Sequence, residues 1–131
     1  MDPQAILDLV RQHWEHLGTN VDRAHQMYRE DAVLEFPQSG ERFEGVASFR
    51  EWRRQYPASL HFRLRRITAR EDLVVVECSV SYNDGPWQDG IQLLEVRDDK
   101  VVRERIYVME RWEAPAWRAP WRASRRAEAS D

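Results

Sequence analysis

The feature that most constrains this chain is a change of hydrophobic period near residue 57. Before it, apolar residues recur three and four apart: Ile6, Leu7, Val10, Trp14 and Leu17, then Val21, Ala24, Met27 and Tyr28. Val46, Phe49, Trp52 or Arg53, and Tyr56 continue the same spacing. Such stripes are helical. After Pro57 the spacing drops to two, with Leu60, Phe62 and Leu64 alternating with His61, Arg63 and Arg65. A valine-rich run over residues 73–82 follows. That alternation is the mark of half-buried strands. Helices first and strands afterwards build an α+β domain and not a βαβ repeat.

Punctuation residues divide the two halves. Asp2-Pro3 opens a first helix with a side-chain acceptor and a ring already near helical φ, and Gly18 is expected to stop it in a left-handed conformation. Thr19 or Asn20 caps the second helix. Residues 32–37 read as a short strand with Leu34 and Phe36 on one face and Glu35 on the other, ended or kept at an edge by Pro37. Residues 38–45 read as a loop with two glycines, and residues 46–56 as a third helix that Pro57 ends. Turns at Glu71-Asp72, Asn83-Asp84-Gly85-Pro86 and Asp98-Asp99-Lys100 then separate four strands, the last two over 90–96 and 101–112. Trp117 and Trp121 are too apolar for a free linker, so residues 114–121 are expected to pack back on the body. Residues 122–131 are expected to be disordered, leaving one domain over 3–121.

Composition removes several function classes. A chain of 131 residues, 42% hydrophobic, suits one domain with a core that needs no staple. Twenty basic against 23 acidic side chains, net −3, do not suit a nucleic-acid binder. Residues 50–70 hold seven arginines against one glutamate, which reads as a solvated face. The single cysteine, Cys78, rules out an internal disulfide, and the four histidines lack ligand spacing, so no metal site is expected. The five glycines form no phosphate-binding loop. No apolar run approaches ~18 residues and no basic-then-apolar leader opens the chain, so a cytoplasmic protein without a membrane partner is expected.

The order of elements resembles a known family, and the local text supports it: residues 27–37 (Met-Tyr-Arg-Glu-Asp-Ala-Val-Leu-Glu-Phe-Pro), Phe43-Glu44-Gly45 before the third helix, and Arg105-Ile106-Tyr107 in the last strand. Over about residues 3–112 the chain is similar to the SnoaL-like branch of the nuclear-transport-factor-2-like superfamily. The resemblance implies a cone-shaped, curved antiparallel sheet, with about three N-terminal helices closing an apolar pocket. It implies a homodimer through the outer sheet face, where Leu93, Tyr107 and Met109 stand among charges. It does not fix an activity, because the fold hosts isomerases, cyclases, dehydratases, epoxide hydrolases and non-enzymatic dimers.

On that cone the alternation becomes a lining. Leu34 and Phe36 facing in brings Phe62 and Leu64, then Val76, Cys78, Val80 and Tyr82, then Gln92 and Leu94, then Val102, Glu104, Ile106 and Val108. His13, Trp14, Phe49, Trp52 and Tyr56 cover the helical side, while Arg63, Arg65, Glu77, Arg103 and Arg105 fall outside as cross-strand ion pairs or a dimer surface. From this set, Trp14, Phe36, Phe49, Trp52, Phe62, Cys78, Tyr82, Gln92 and Ile106 are the expected ligand contacts.

Glu104 is the ionisable carboxylate in an otherwise apolar cavity, where desolvation raises its pKa toward general acid–base use. The structural alternative is a buried acid held by a helix arginine or by backbone amides. His13 is the second catalytic candidate, as a proton carrier or orienting donor, against the plainer role of a partly exposed helix histidine. His16 and His25 are not fixed on its face, and His61 alternates outward. Resemblance to steroid isomerases places their proton-shuttling aspartate at Phe36, their second acid near Gln92 and their tyrosine near Gln12 or His13, and none of these residue types is kept. That mechanism is therefore excluded. An epoxide-hydrolase set lacks its pair of inward acids. Gln92 and Tyr82 can donate to a ligand carbonyl or satisfy each other, and Cys78 reads as a small buried hydrophobe.

Two functions follow. One is cofactor-independent isomerase, cyclase or lyase chemistry on a compact apolar carbonyl compound. The other is a non-catalytic binding or dimerising module whose cone is filled by its own aromatics, which six tryptophans make feasible. A cavity of roughly 300 Å³ or more with a polar group inside favours the first.

Overall fold

The period change at Pro57 separates helices from meander in the computed structural model, which describes residues 3–123. Helix α1 runs Pro3–His16 and α2 Val21–Ala24, followed by a 3-10 turn, His25–Met27. Strands β1 (Tyr28–Phe36) and β2 (Glu41–Glu44) precede α3 (Val46–Arg54). The meander is β3 (Leu60–Arg70), β4 (Leu73–Tyr82), β5 (Gln88–Arg97) and β6 (Lys100–Met109), and a second 3-10 turn spans Ala116–Trp121. No described helix is long and apolar enough to cross a membrane.

The six strands form one curved, unclosed sheet in the order β2-β1-β6-β5-β4-β3. All pairings are antiparallel except β1 with β6, which run parallel. Register breaks bend the sheet between Leu64 and Arg66 on β3 and at Glu95/Val96 opposite β6. The concave face carries Leu34, Val74, Val76, Leu94, Val101 and Ile106, and α1 and α3 cover it with Ile6, Val10, Trp14, Val46 and Phe49. On the convex face, Arg103 bonds Glu35 and Arg105 bonds Glu95, each at 2.7 Å, as the outward register requires.

Several local expectations are corrected. Gly18 is not left-handed, since positive φ among the described glycines occurs at Gly40 and Gly45. A Cβ at Gly18 would lie 3.1 Å from the Leu60 carbonyl, so the residue is small because β3 passes close by. Asn20 is the second cap, accepting from the Arg23 amide at 3.1 Å, but its helix stops early. Tyr28 pairs with Val101 and starts β1, so strand pairing overrides the helical stripe. The expected loop 38–45 contains β2, whose Phe43 pairs with Leu34. Val102 is the extra residue of the β6 bulge, because Glu95 faces Arg103 while Val96 faces Val101. Fully buried Val101 takes its core place.

The last strand ends at Met109, not at residue 112. Trp112, Trp117 and Trp121 are 82%, 72% and 78% exposed, so residues 114–121 do not pack back. Pro115 is extended and Pro120 lies inside the 3-10 turn, a stiff geometry that carries this segment off the body. The tail expected to be disordered lies outside the described residues from 124 onward, as does Asp2.

Candidate functional site

Strand register stacks the cone in layers. Glu104 on β6 pairs with Leu34 on β1 and Leu94 on β5. In the next layer Gln92 pairs with Val76 and Ile106, and in the one after it Gly90 pairs with Cys78 and Val108. Phe62 pairs with Val80 above them. Helix α1 brings His13 and Trp14 over these layers, and α3 brings Trp52 and Arg53. Together they enclose a cavity of about 90 Å³. Aromatic side chains form one wall, with ring centroids 5.9 Å apart for Phe36 and Trp52 and 6.3 Å for the stacked Tyr56 and Tyr82.

Glu104 is 1% exposed and sits in a buried polar chain. Its Oε1 accepts from the Tyr28 hydroxyl and lies 4.0 Å from Arg53 Nη2. Arg53 Nη1 donates to Tyr28 Oη at 3.1 Å and to His25 Nε2 at 3.0 Å. His25 closes the chain by donating from Nδ1 to the Val21 carbonyl at 2.6 Å. Beside it, His13 donates from Nδ1 to the Ala24 carbonyl at 2.6 Å. A carbonyl cannot donate, so the proton sits on Nδ1 and His13 Nε2 is left with a bare lone pair.

Four buried side-chain atoms among the described residues lack a hydrogen-bond partner: His13 Nε2, Trp14 Nε1, Trp52 Nε1 and Glu104 Oε2. All four residues line the same cavity. Orphaned buried polar groups cost about 1–3 kcal/mol each, and native folds rarely tolerate them. Here two indole N–H donors, a bare imidazole nitrogen and a carboxyl oxygen are gathered at one void.

Burial shifts the titration of both groups at this void. Desolvation pushes the Glu104 carboxyl above its ordinary range, against the opposing pull of Arg53 and the Tyr28 hydrogen bond. Burial pulls His13 well down, and the Arg53 charge adds to it. Both groups are thereby driven toward their neutral forms, a carboxylic acid and a free imidazole. Burial likewise lowers His25 to about 4. Among the described residues no three His, Cys, Asp or Glu side chains converge as metal ligands would.

The structure brings together Glu104, His13, Trp14, Phe36, Trp52, Phe62, Cys78, Tyr82, Gln92 and Ile106 around this cavity. Phe49 lies behind the lining, fully buried against Tyr28 at 4.9 Å. His13 is 1% exposed, not partly exposed. Gln92 and Tyr82 do not satisfy each other: the Gln92 amide oxygen faces Cys78 Sγ at 3.5 Å, while Tyr82 stacks on Tyr56. Sequence reasoning placed Tyr28 only in a helical stripe, set His25 aside and left Arg53 as an alternative to Trp52. A usable signal existed for Arg53, an arginine four residues after Phe49 on the apolar face of α3.

Comparison with known proteins agrees with this architecture. The family model described as SnoaL-like domain matches residues 7–104. An NTF-2-like protein of unknown function from Burkholderia xenovorans is 33% identical, with 92% of this chain and 95% of that one covered and a TM-score of 0.86. A candidate ketosteroid isomerase from Kribbella flavida is 25% identical, with 95% and 93% covered and a TM-score of 0.83. A candidate polyketide cyclase from Sinorhizobium meliloti shares the fold at 22% identity, with 76% and 94% covered and a TM-score of 0.67. No curated protein matches. Helices, curved sheet, cavity and family match together place this chain in the SnoaL-like domain family of the nuclear-transport-factor-2-like superfamily.

Proposed function

We propose that this protein binds a compact, mostly apolar molecule bearing a carbonyl group and moves a proton within it. The observation that carries this reading is the gathering of four unpartnered polar atoms at one cavity. His13 Nε2, uncharged at neutral pH, takes a proton from the carbon beside the carbonyl. Glu104 Oε2 gives its proton to the carbonyl oxygen, and the C–H electron pair becomes the C=C bond of the enol. Oppositely shifted acid and base in one site are the arrangement this step needs. The indole N–H groups of Trp14 and Trp52, with Gln92 and Tyr82, hold polar atoms of the bound molecule. Reprotonation at another carbon makes the enzyme an isomerase, ring closure a cyclase, and expulsion of a β-hydroxyl a lyase. None of these steps calls on an organic cofactor.

A second reading is favoured by size. The cavity, about 90 Å³, is well below the ~300 Å³ at which drug-sized ligands are usually held. That suits a module whose cone is largely filled by its own side chains, and it also restricts any substrate to a small one.

The test is proton exchange. Compact ketones with exchangeable α-protons and matched hydrocarbons are incubated with protein in D₂O, with binding followed by melting temperature and exchange by NMR. Proposed chemistry requires ketone-selective stabilisation and α-deuteration that E104Q loses. Binding without exchange supports the module, and absence of both binding and exchange overturns the substrate assignment.

A further inference from the structure

Arg53 is a cavity-lining group whose charge the proposed proton transfer does not use. It reaches the cavity from the last turn of α3, with its side chain 9% exposed. Its hydrogen bonds go to two uncharged acceptors, the Tyr28 hydroxyl and His25 Nε2. Glu104, the acid that lines the cavity, stands 4.0 Å from Arg53 Nη2, beyond hydrogen-bond distance. Its facing oxygen already accepts from Tyr28. Buried cations are normally both paired with and hydrogen-bonded to an anion. This one borders a void, and so do the unpartnered indole N–H groups of Trp14 and Trp52. The guanidinium lies 5.5 Å from the Trp52 ring centroid.

We propose that the molecule held in this cavity is a short oxo acid, its carboxylate bound by Arg53 and the free indole N–H groups and its ketone oxygen by Glu104. The inference rests on the carbonyl-binding reading above and adds the charge of the ligand. A guanidinium presents a planar fork of donors that matches a carboxylate, whereas a plain ketone gives it no charge to pair with. The cavity, about 90 Å³, admits a short chain. So small a molecule has little apolar surface to orient it, and an anchored acid group supplies that orientation. Helix α3 carries Arg50 and Arg54 as well, against Glu51, and the charge of both is felt at His25. That excess of positive charge draws an anion toward this end of the helix.

An anion on Arg53 competes with a negative charge on Glu104, so binding and protonation are linked. The titratable and charged groups around Glu104 are Tyr28 from β1, Arg53 from α3, His13 from α1, His25 from the 3-10 turn and Cys78 from β4. Burial lifts Tyr28 well above 10.0 and Cys78 above 9.0, and it lowers His13 well below 6.5 and His25 to about 4. Above neutrality Glu104 is therefore the group that gains charge, since its raised carboxyl ionises as pH climbs. The carboxylate of the ligand is then repelled, and its affinity falls.

Titration calorimetry at about pH 6 compares 2-oxobutanoate and 4-oxopentanoate with their amides, which have the same shape and no charge. Wild type should bind the better oxo acid at least ~10-fold more tightly than its amide, the usual worth of a hydrogen bond to a charged group. R53Q should abolish that preference. Equal affinities in the wild type overturn the proposal, and so does a preference that R53Q keeps. Should R53Q misfold by circular dichroism, the pH profile of the wild type decides instead. Affinity for the acid must fall between about pH 6 and 8.5 while that for the amide stays level, and a level acid profile refutes a carboxylate beside Glu104. Deuterium exchange into the same compounds keeps the two readings apart. Acid preference without exchange supports the anion site and removes the proton-transfer chemistry. Exchange without acid preference does the reverse, and absence of binding by either class overturns both.

Discussion

Glu104 shows what a single residue could and could not disclose. Its inward position follows from counting by twos, because no register break lies between it and Ile106. Its partners were hidden: Tyr28 comes from a segment whose spacing imitates a helix, and Arg53 shares a turn with Trp52. The sequence alternative, a buried acid beside a helix arginine, is met on Oε1, while Oε2 is without a hydrogen-bond partner, as the proposed proton transfer requires. The proton linkage is opposed on the two sides. A raised Glu104 pKa adds stability that is full below its unfolded value near 4.5 and is lost as pH climbs through the folded value. His13 and His25, both lowered, add stability above 6.5 that is lost as pH falls, for His25 down through about 4. Urea denaturation from pH 4 to 7 should therefore show stability rising more steeply with pH in E104Q than in wild type, and parallel curves would remove Glu104 from the linkage. Y28F strips the hydrogen bond that holds Glu104 down and one acceptor from Arg53. It should cost about 1–3 kcal/mol and push the Glu104 titration higher still, read by NMR of the labelled carboxyl.

At the scale of elements, turn chemistry was legible and sheet irregularity was not. Asn83, Asp84, Asp98 and Asp99 all adopt positive φ at hairpin turns, the conformation that Asn and Asp tolerate best. The meander could be read from them. The bulges that shift Val102 out and seat Val101 in the core leave no mark in the alternation, because a bulge is one inserted residue and valine suits both faces. Strand β2 escaped notice because only Phe43 of its four residues is apolar. Glu71 is the exception among the turns, a longer side chain held at φ 55°. E71G should relieve that conformation and stabilise the protein by about 0.5–1 kcal/mol, a rise of a few degrees in calorimetric Tm. In β5, a Cβ at Gly90 would come within 3.0 Å of Cys78 Sγ and 3.3 Å of Gln92 Nε2. G90A should destabilise by about 1–3 kcal/mol through overpacking and weaken any cavity ligand, as titration calorimetry would show. Unchanged affinity would mean that ligands bind elsewhere.

Over the whole molecule, the parallel β1–β6 pairing joins what the period change divides. It sets the first strand beside the last, so helices and meander close one cone between them. Sequence patterning marks each half but not this seam, since pairing between distant segments depends on the partner's register and not on local spacing. Side chains reinforce the seam. Lys100 donates to the Gln26 carbonyl at 2.7 Å, and Arg103 reaches Glu35 at the same distance. Gln38 imitates a strand backbone, donating to the Val108 carbonyl and accepting from the Val108 amide, both at 2.7 Å. Because Tyr28 and Glu104 meet across the same seam, the cavity exists only when both halves are docked. Unfolding should therefore be a single cooperative step, with far-UV circular dichroism of the sheet and tryptophan fluorescence of the cone giving coincident urea midpoints. Q38A removes two cross-seam hydrogen bonds and should cost about 1–3 kcal/mol while the two midpoints move together. Midpoints that separate would show the meander folding without the helices, and the site would then be an added layer on an independent sheet instead of a product of the whole chain.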